Sequence, residues 1–256
     1  MDIKWFGTAS ILLKEEDHTI LFDPFLPMNK NLYQPPLDEL AAPDNIFITH
    51  GHFDHLISVP AILKKGGATV YCSDTAAATL VREGVKPDRI AVIAPGDSFE
   101  IGPFKINVLR GKHIVFDRRL IARTFLNYRM LIYCENLKKI LRESSRYPEG
   151  QTLIFQIDTK DRKILHLGSL NMDENEVCPR NIDLLTLPFQ GRSDLDSYAL
   201  QFVQKAEPKA IYLHHFDDSF PPISSAVDTG AFIRKAAGMF TGIKVIVPRH
   251  GEWITL

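Results

Sequence analysis

The stretch Thr49-His50-Gly51-His52-Phe53-Asp54-His55-Leu56 decides the reading of this chain. Three imidazoles and a carboxylate crowd together directly after the apolar run Asn45-Ile46-Phe47-Ile48. That run predicts a strand, and 56–65, stopped by Gly66-Gly67, predicts a helix. Side chains two apart on extended backbone share a face, so His50 and His52 can grip one ion. Asp54 and His55, at the turn into the helix, can face a second ion alongside. Imidazole and carboxylate suit zinc and its first-row neighbours. Gly51 is expected to let the loop bend tightly. A merely solvated loop fits poorly, because between Phe47, Phe53 and Leu56 several polar rings would lack partners.

Outward from this cluster, short apolar runs broken by turn residues predict strands at 3–6, 10–14, 19–22, 68–72, 90–93, 98–101 and 104–109. In the second half, strands at 152–158, 163–167, 182–187, 210–214 and 244–247 alternate with helical stretches near 194–206 and 226–240. A further helix is expected at 74–83. The pattern predicts an α/β fold of two sheets packed face to face with helices outside. Residues 114–150 are basic, and Leu137-Lys138-Lys139-Ile140-Leu141 has helical spacing. They read as a helical insertion, a lid or a contact surface, in a single domain spanning 1–256.

Composition narrows the class. Hydrophobic residues make up 45% and charged residues 24%, as in an ordinary folded protein. Thirty Lys and Arg against 31 Asp and Glu leave no basic excess for long nucleic acids. No apolar run approaches the roughly 18 residues that span a bilayer, and the opening Met1-Asp2-Ile3-Lys4-Trp5 lacks a signal-peptide layout. Cys72, Cys134 and Cys178 are odd in number and far apart, which suggests no disulfide framework. A cytoplasmic location is the expectation.

The HxHxDH pattern after an apolar strand resembles the signature of the metallo-β-lactamase superfamily of metal-dependent hydrolases. Trp5-Phe6-Gly7-Thr8-Ala9-Ser10, followed by Ile20-Leu21-Phe22-Asp23-Pro24-Phe25, looks like the opening hairpin of the branch containing ascorbate-phosphate lactonase. The resemblance covers nearly the whole chain and implies an αββα sandwich. It implies a third histidine for the first metal, which His113 supplies at the end of 105–112. It implies a final histidine for the second metal in Leu213-His214-His215-Phe216. An aromatic after the ligand favours His215, with His214 as the alternative. It also assigns Asp23 to bracing the ligand loop.

One departure stands out. Most members carry a Gly-Asp step whose carboxylate bridges two metals, whereas here Gly168-Ser169 occupies that place. A hydroxyl is a poor zinc ligand, so the second ion should bind more weakly or not at all. Asp173 or Glu174 could reach in instead. The implied cofactor is zinc, one or two ions, with manganese or iron also accepted by these ligands. The implied activity is hydrolysis of a small ester, lactone or phosphorylated substrate by a metal-activated hydroxide, with Asp54 orienting it and His166 or His214 protonating the leaving group. Arg192, Lys112 and Arg118-Arg119 are candidate anion holders. Competing readings are a phosphodiesterase acting on nucleic acid or phospholipid, and a non-enzymatic binder that has lost the second metal. The apolar insertion also makes a homo-oligomer an expectation.

Overall fold

The computed structural model describes residues 1–256. Elements are numbered in chain order. The first sheet holds β1 (Asp2–Gly7), β2 (Ser10–Glu15), β3 (His18–Phe22), β4 (Asn45–Phe47), β5 (Thr69–Cys72), β6 (Ile90–Val92) and β14 (Trp253–Thr255), in the order β14-β1-β2-β3-β4-β5-β6. The second holds β7 (Ser98–Ile101), β8 (Phe104–Arg110), β9 (Leu153–Asp158), β10 (Lys163–Leu167), β11 (Leu184–Pro188), β12 (Ala210–His214) and β13 (Lys244–Ile246), in the order β13-β12-β11-β10-β9-β8-β7. Each sheet begins as an antiparallel meander and continues as parallel strands, from β3 onward in the first and from β10 onward in the second.

Strand alternation builds the layers. Ile11, Leu13, Ile20, Phe22 and Phe47 point between the sheets and meet Ile106, Val108, Phe155, Ile157 and Tyr212 from the other side. Their neighbours Leu12, Leu21, Ile46 and Val70 point outward, against α1 (Leu37–Ala41), α2 (Phe53–Leu56), α3 (Val59–Lys65) and α4 (Asp74–Arg82). On the far side, Leu165, Leu185, Leu187 and Ile211 pack under α8 (Leu195–Tyr198), α9 (Leu200–Ala206) and α10 (Gly230–Met239). Strand β11 is buried along its whole length, as expected of a parallel strand covered on both faces. Phe155 is fully buried between the sheets, and Phe155→Ala should cost about 3–5 kcal/mol.

The observed order is the αββα sandwich expected from the sequence. Three details differ. The helix expected at 56–65 is broken into α2 and α3, because Pro60 cannot donate a backbone hydrogen bond to the preceding turn and instead opens a new helix. Strand β14 has no signal of its own and exists by pairing with the edge of β1, Asp2 opposite Thr255. Residues between β8 and β9 form three helices, α5 (Arg118–Phe125), α6 (Arg129–Ile132) and α7 (Cys134–Arg146). No helix is long and apolar enough to cross a membrane.

Candidate metal centre

The carboxyl ends of β3, β4, β8, β10 and β12 converge at one edge of the sandwich, where sheets with parallel strands place their sites. Two groups of potential ligands lie there. His50, His52 and His113 bring one ligand atom each to within 4.8 Å of one another. Asp54, His55 and His215 do the same within 4.8 Å. The His50 and His55 rings are only 3.9 Å apart between centroids, so the groups adjoin. His214, the alternative to His215, faces the other way. It is fully buried, with Nε2 3.0 Å from the Leu167 carbonyl, and stands in neither group.

Asp23 and Thr49 orient the rings. The Asp23 carboxylate accepts from the Thr49 backbone N–H (2.8 Å) and from the Thr49 hydroxyl (2.7 Å), and His55 Nδ1 lies 3.0 Å from it. With its proton given to Asp23, the Thr49 oxygen is left to accept from His50 Nδ1 at 3.1 Å. The Nδ1 atoms of His50 and His55 are thus engaged, and His113 Nδ1 donates to the Ile114 carbonyl at 2.9 Å. Each ring is held in the tautomer that leaves Nε2 for another partner. His50 Nε2 is buried and has no hydrogen-bond partner in the protein. An orphaned imidazole nitrogen facing two others is an unfavourable arrangement that a metal ion relieves.

The backbone is forced at the same place. Asp23 (φ 43°), His215 (φ 57°) and Thr8 (φ 48°) all occupy the left-handed region that non-glycine residues avoid. Such residues cost about 1–3 kcal/mol each and persist only when neighbours over-determine them. Here the Asp23 N–H donates to the Phe47 carbonyl, the His215 N–H to the Thr8 carbonyl (2.7 Å), and the Thr8 N–H to the Asp217 carboxylate (3.0 Å). Thr49 and Asp217 are positioning groups that the sequence reading passed over, although each lies within two residues of a singled-out histidine. Gly51 serves differently from expectation. A Cβ there would sit 2.2 Å from the Pro148 carbonyl oxygen, so glycine admits a close backbone approach, sealed by Gly51 N–H donating to Glu149 O (2.8 Å).

Electrostatics favour His50, His52, His113 and Asp54 in their binding forms. Burial, reinforced by neighbouring imidazoles, pushes His50 well below its ordinary pKa and His113 down to about 4. Burial also lowers His52. For Asp54, burial acts upward, but His55 and His215 outweigh it and hold the carboxyl well below the usual carboxylate range. For His55, burial acts downward, yet Asp23 and Asp54 overcome it and raise the ring above its ordinary value. The shifts favour neutral imidazole in the first group and the carboxylate form of Asp54 in the second, whereas His55 is biased towards its protonated form.

Several expected roles are corrected. Ser169 accepts from the Ile114 N–H at 2.9 Å and so fastens the segment carrying His113. Asp173 and Glu174 do not reach in; both lie 3.6 Å from Lys112, which they occupy. Arg192 lines the cavity but is already paired with a carboxylate. It forms a two-pronged pair with Asp194 (2.7 and 3.0 Å) and donates to the Val115 carbonyl. Arg118 and Arg119 project into solvent. His166 and His214 are buried, and neither lines the cavity over the site. Asn171 is a residue the sequence reading missed; its side chain donates to the His113 carbonyl at 3.2 Å.

Above the two groups lies a cavity of about 320 Å³. The histidines, Asp54 and Ser169 form its floor. Its walls and roof are largely apolar: Ile114 and Phe116 from the approach to α5, Leu120 from α5 itself, Ile140 from α7, and Phe220 and Val227 after β12.

Comparison with known proteins agrees with this architecture. Residues 2–215 match the family model described as the beta-lactamase superfamily domain. A UPF0173 metal-dependent hydrolase of Carboxydothermus hydrogenoformans is 30% identical over 261 residues, covering 100% of both chains. Another from Methanopyrus kandleri is 27% identical, covering 98% of each. Among solved structures, a metallo hydrolase from Ignicoccus hospitalis superposes with a TM-score of 0.66 at 16% identity, covering 99% of this chain and 97% of its own. A metallo-beta-lactamase fold protein of Bacillus subtilis gives 0.65 at 15% identity, covering 99% and 98%. These two likenesses concern the fold. With its sandwich, its paired ligand groups and its full-length relatives, the chain belongs to the beta-lactamase superfamily, among the metal-dependent hydrolases of the UPF0173 family.

Proposed function

We propose that the protein hydrolyses small, predominantly apolar esters or lactones with two metal ions, most simply zinc. His50, His52 and His113 would hold the first ion, and Asp54, His55 and His215 the second. The observation that carries the reading is the pair of adjoining ligand groups at the floor of a largely apolar chamber. When bound, such ions lower the pKa of water to near neutrality and polarise a carbonyl oxygen.

The chain's own residues do the remaining work. Asp54 stays ionised and can accept a hydrogen bond from the attacking water, fixing its direction. Ser169 spends its oxygen lone pair on Ile114 N–H and keeps its hydroxyl hydrogen for an oxygen in the chamber. Phe116, Leu120, Ile140 and Phe220 exclude bulk water and hold an apolar acyl or ring portion. A volume of about 320 Å³ favours a compact substrate over nucleic acid. Because Arg192 is paired with Asp194 and donates to the Val115 carbonyl, a phosphorylated substrate is the weaker alternative.

Metal content comes first as a test, by elemental analysis of protein purified without added metal or chelator. About two equivalents per chain, with hydrolysis of short-acyl esters or lactones, is the expected result. One equivalent would remove the second ion from the proposal. None after reloading with zinc, manganese or iron would overturn it and favour a non-enzymatic binder.

A further inference from the structure

The helices over the chamber have a second apolar face, directed outward. Leu126 and Leu131 are 87% and 82% exposed, and Ile121, Phe125, Tyr128 and Ile132 of the same twelve-residue stretch, 121–132, are exposed as well. A single exposed leucine needs no explanation, but a contiguous group of large apolar side chains marks a contact surface. The group is presented firmly. Asp117 caps α5 through the Leu120 N–H and also accepts from Ser193, Arg129 donates to the Ser224 carbonyl and pairs with Asp218, and the exit of α7 is bonded to Gly51.

Charge identifies the partner. Between 114 and 150 there are eight Lys and Arg against four Asp and Glu, in a chain whose formal net charge is -1. Arg118, Arg119, Arg123 and Lys139 are exposed on this excursion and have no ion-pair partner. On α5, Leu120 and Thr124 turn into the chamber, leaving Ile121 and Phe125 outside with Arg118 and Arg119. Apolar side chains interleaved with free cations are the composition of a helix that lies in the headgroup region of a bilayer. A second copy packed face to face would set these cations against each other. No helix here could span a bilayer, so contact would be peripheral. The outer surface also continues inward: Phe116 is half exposed and lines the chamber, as does Ile223.

We infer that the outer face of α5–α7 docks on an anionic lipid bilayer, with Phe125, Leu126, Leu131 and Ile132 entering the interface and the free arginines and lysine meeting acidic headgroups. The inference does not depend on which reaction the chamber performs. Flotation of the full-length protein with vesicles of phosphatidylcholine alone, or containing about one-third phosphatidylglycerol, tests it. The expected result is binding to the anionic vesicles only, released by raising the salt concentration. Leu126→Ser with Leu131→Ser should lower the partition coefficient about tenfold or more while leaving hydrolysis of a water-soluble ester unchanged. Arg118→Glu with Arg119→Glu should also abolish binding. Three results would overturn the inference: no binding to either vesicle, equal binding to both, or a dimer by analytical ultracentrifugation that the Leu126/Leu131 variant dissociates. The last would assign the face to a second copy.

Discussion

The floor and the roof of the chamber follow opposite rules. The floor is polar, buried and over-determined: Asp23 and His55 are almost fully buried, and Asp23, Thr49, His50 and His55 hold one another through bonds of 2.7–3.1 Å. The roof is apolar, made of short helices between β8 and β9, and is exposed on its far side. The floor stands on strand ends, where a shift of one ligand carries a sheet with it. The roof is held by polar ties, Asp117 to Ser193, Arg129 to Asp218 and Arg146 to Glu83, and by Ile140 and Tyr147 packed into the core. On the proposed function, the sandwich would fix the chemistry and the helices between β8 and β9 would select the molecules admitted to it.

The sharpest way to break that division is to damage the floor alone. His113→Ala leaves the chamber's apolar walls in place and removes one of three ligand atoms. Activity should fall about 100- to 1,000-fold, as when a preorganised electrostatic group is lost, and metal content should drop. Unchanged metal content would place His113 outside the centre.

Beneath the floor, His166 and His214 test whether neutral burial is real. Burial pushes His166 down to about 4, and its Nδ1 meets the Thr186 hydroxyl at 2.7 Å. Burial likewise drives His214 well below its ordinary value. With a folded pKa below the unfolded one, the unfolded chain takes up the proton first. Stability is thus fully present above about pH 6.5 and is lost as pH falls towards 4, by on the order of 3 kcal/mol for His166. His166→Gln should flatten that slope in urea unfolding followed between pH 7 and 4.5. An unaltered slope would mean the acid sensitivity lies elsewhere.

A subtler change divides the floor itself. Asp23→Asn keeps an acceptor for Thr49 but sets an amide against His55 Nδ1. Losing such a bracing partner typically costs 10–100-fold in metal affinity. The loss should fall hardest on the Asp54–His55–His215 group, which Asp23 touches directly, and less on His50, which it reaches only through Thr49, so zinc titration by calorimetry should weaken one binding event more than the other.

Much of the floor could be read before any coordinates, and the reason is geometric. Four of its ligands come from one strand-to-helix turn, so their proximity in space is already proximity in sequence. Asp23, His113 and His215 come from other strands and were reached only through resemblance to a family. Thr49 was in plain view, yet a threonine at a strand end carries no signal until its hydroxyl is seen between a carboxylate and a ring. Arg192 misled because a guanidinium near a helix start looks free until Asp194, two residues on, is seen to engage it. The roof was hidden for a different reason. Helical spacing in 114–150 says that one face is apolar, but here both are, and nothing in the order of residues tells Leu120, which faces the chamber, from Ile121, which faces solvent.

The roof supplies the smallest expected effect and the cleanest control. Leu120 lines the chamber and touches no ligand group, and its backbone N–H is held by Asp117 whatever side chain it carries. Leu120→Ala should therefore enlarge the chamber without disturbing the metals. One or two methylene contacts in an apolar pocket are worth about tenfold in discrimination, so the ratio of kcat/KM between a bulky and a short acyl ester should move by that much towards the bulky one. Leu120→Trp should move it the other way. Metal content should stay at the wild-type value in both variants. If either variant lost metal, the roof would be bracing the floor through the bond from Gly51 to Glu149, and the two regions would be one mechanical unit.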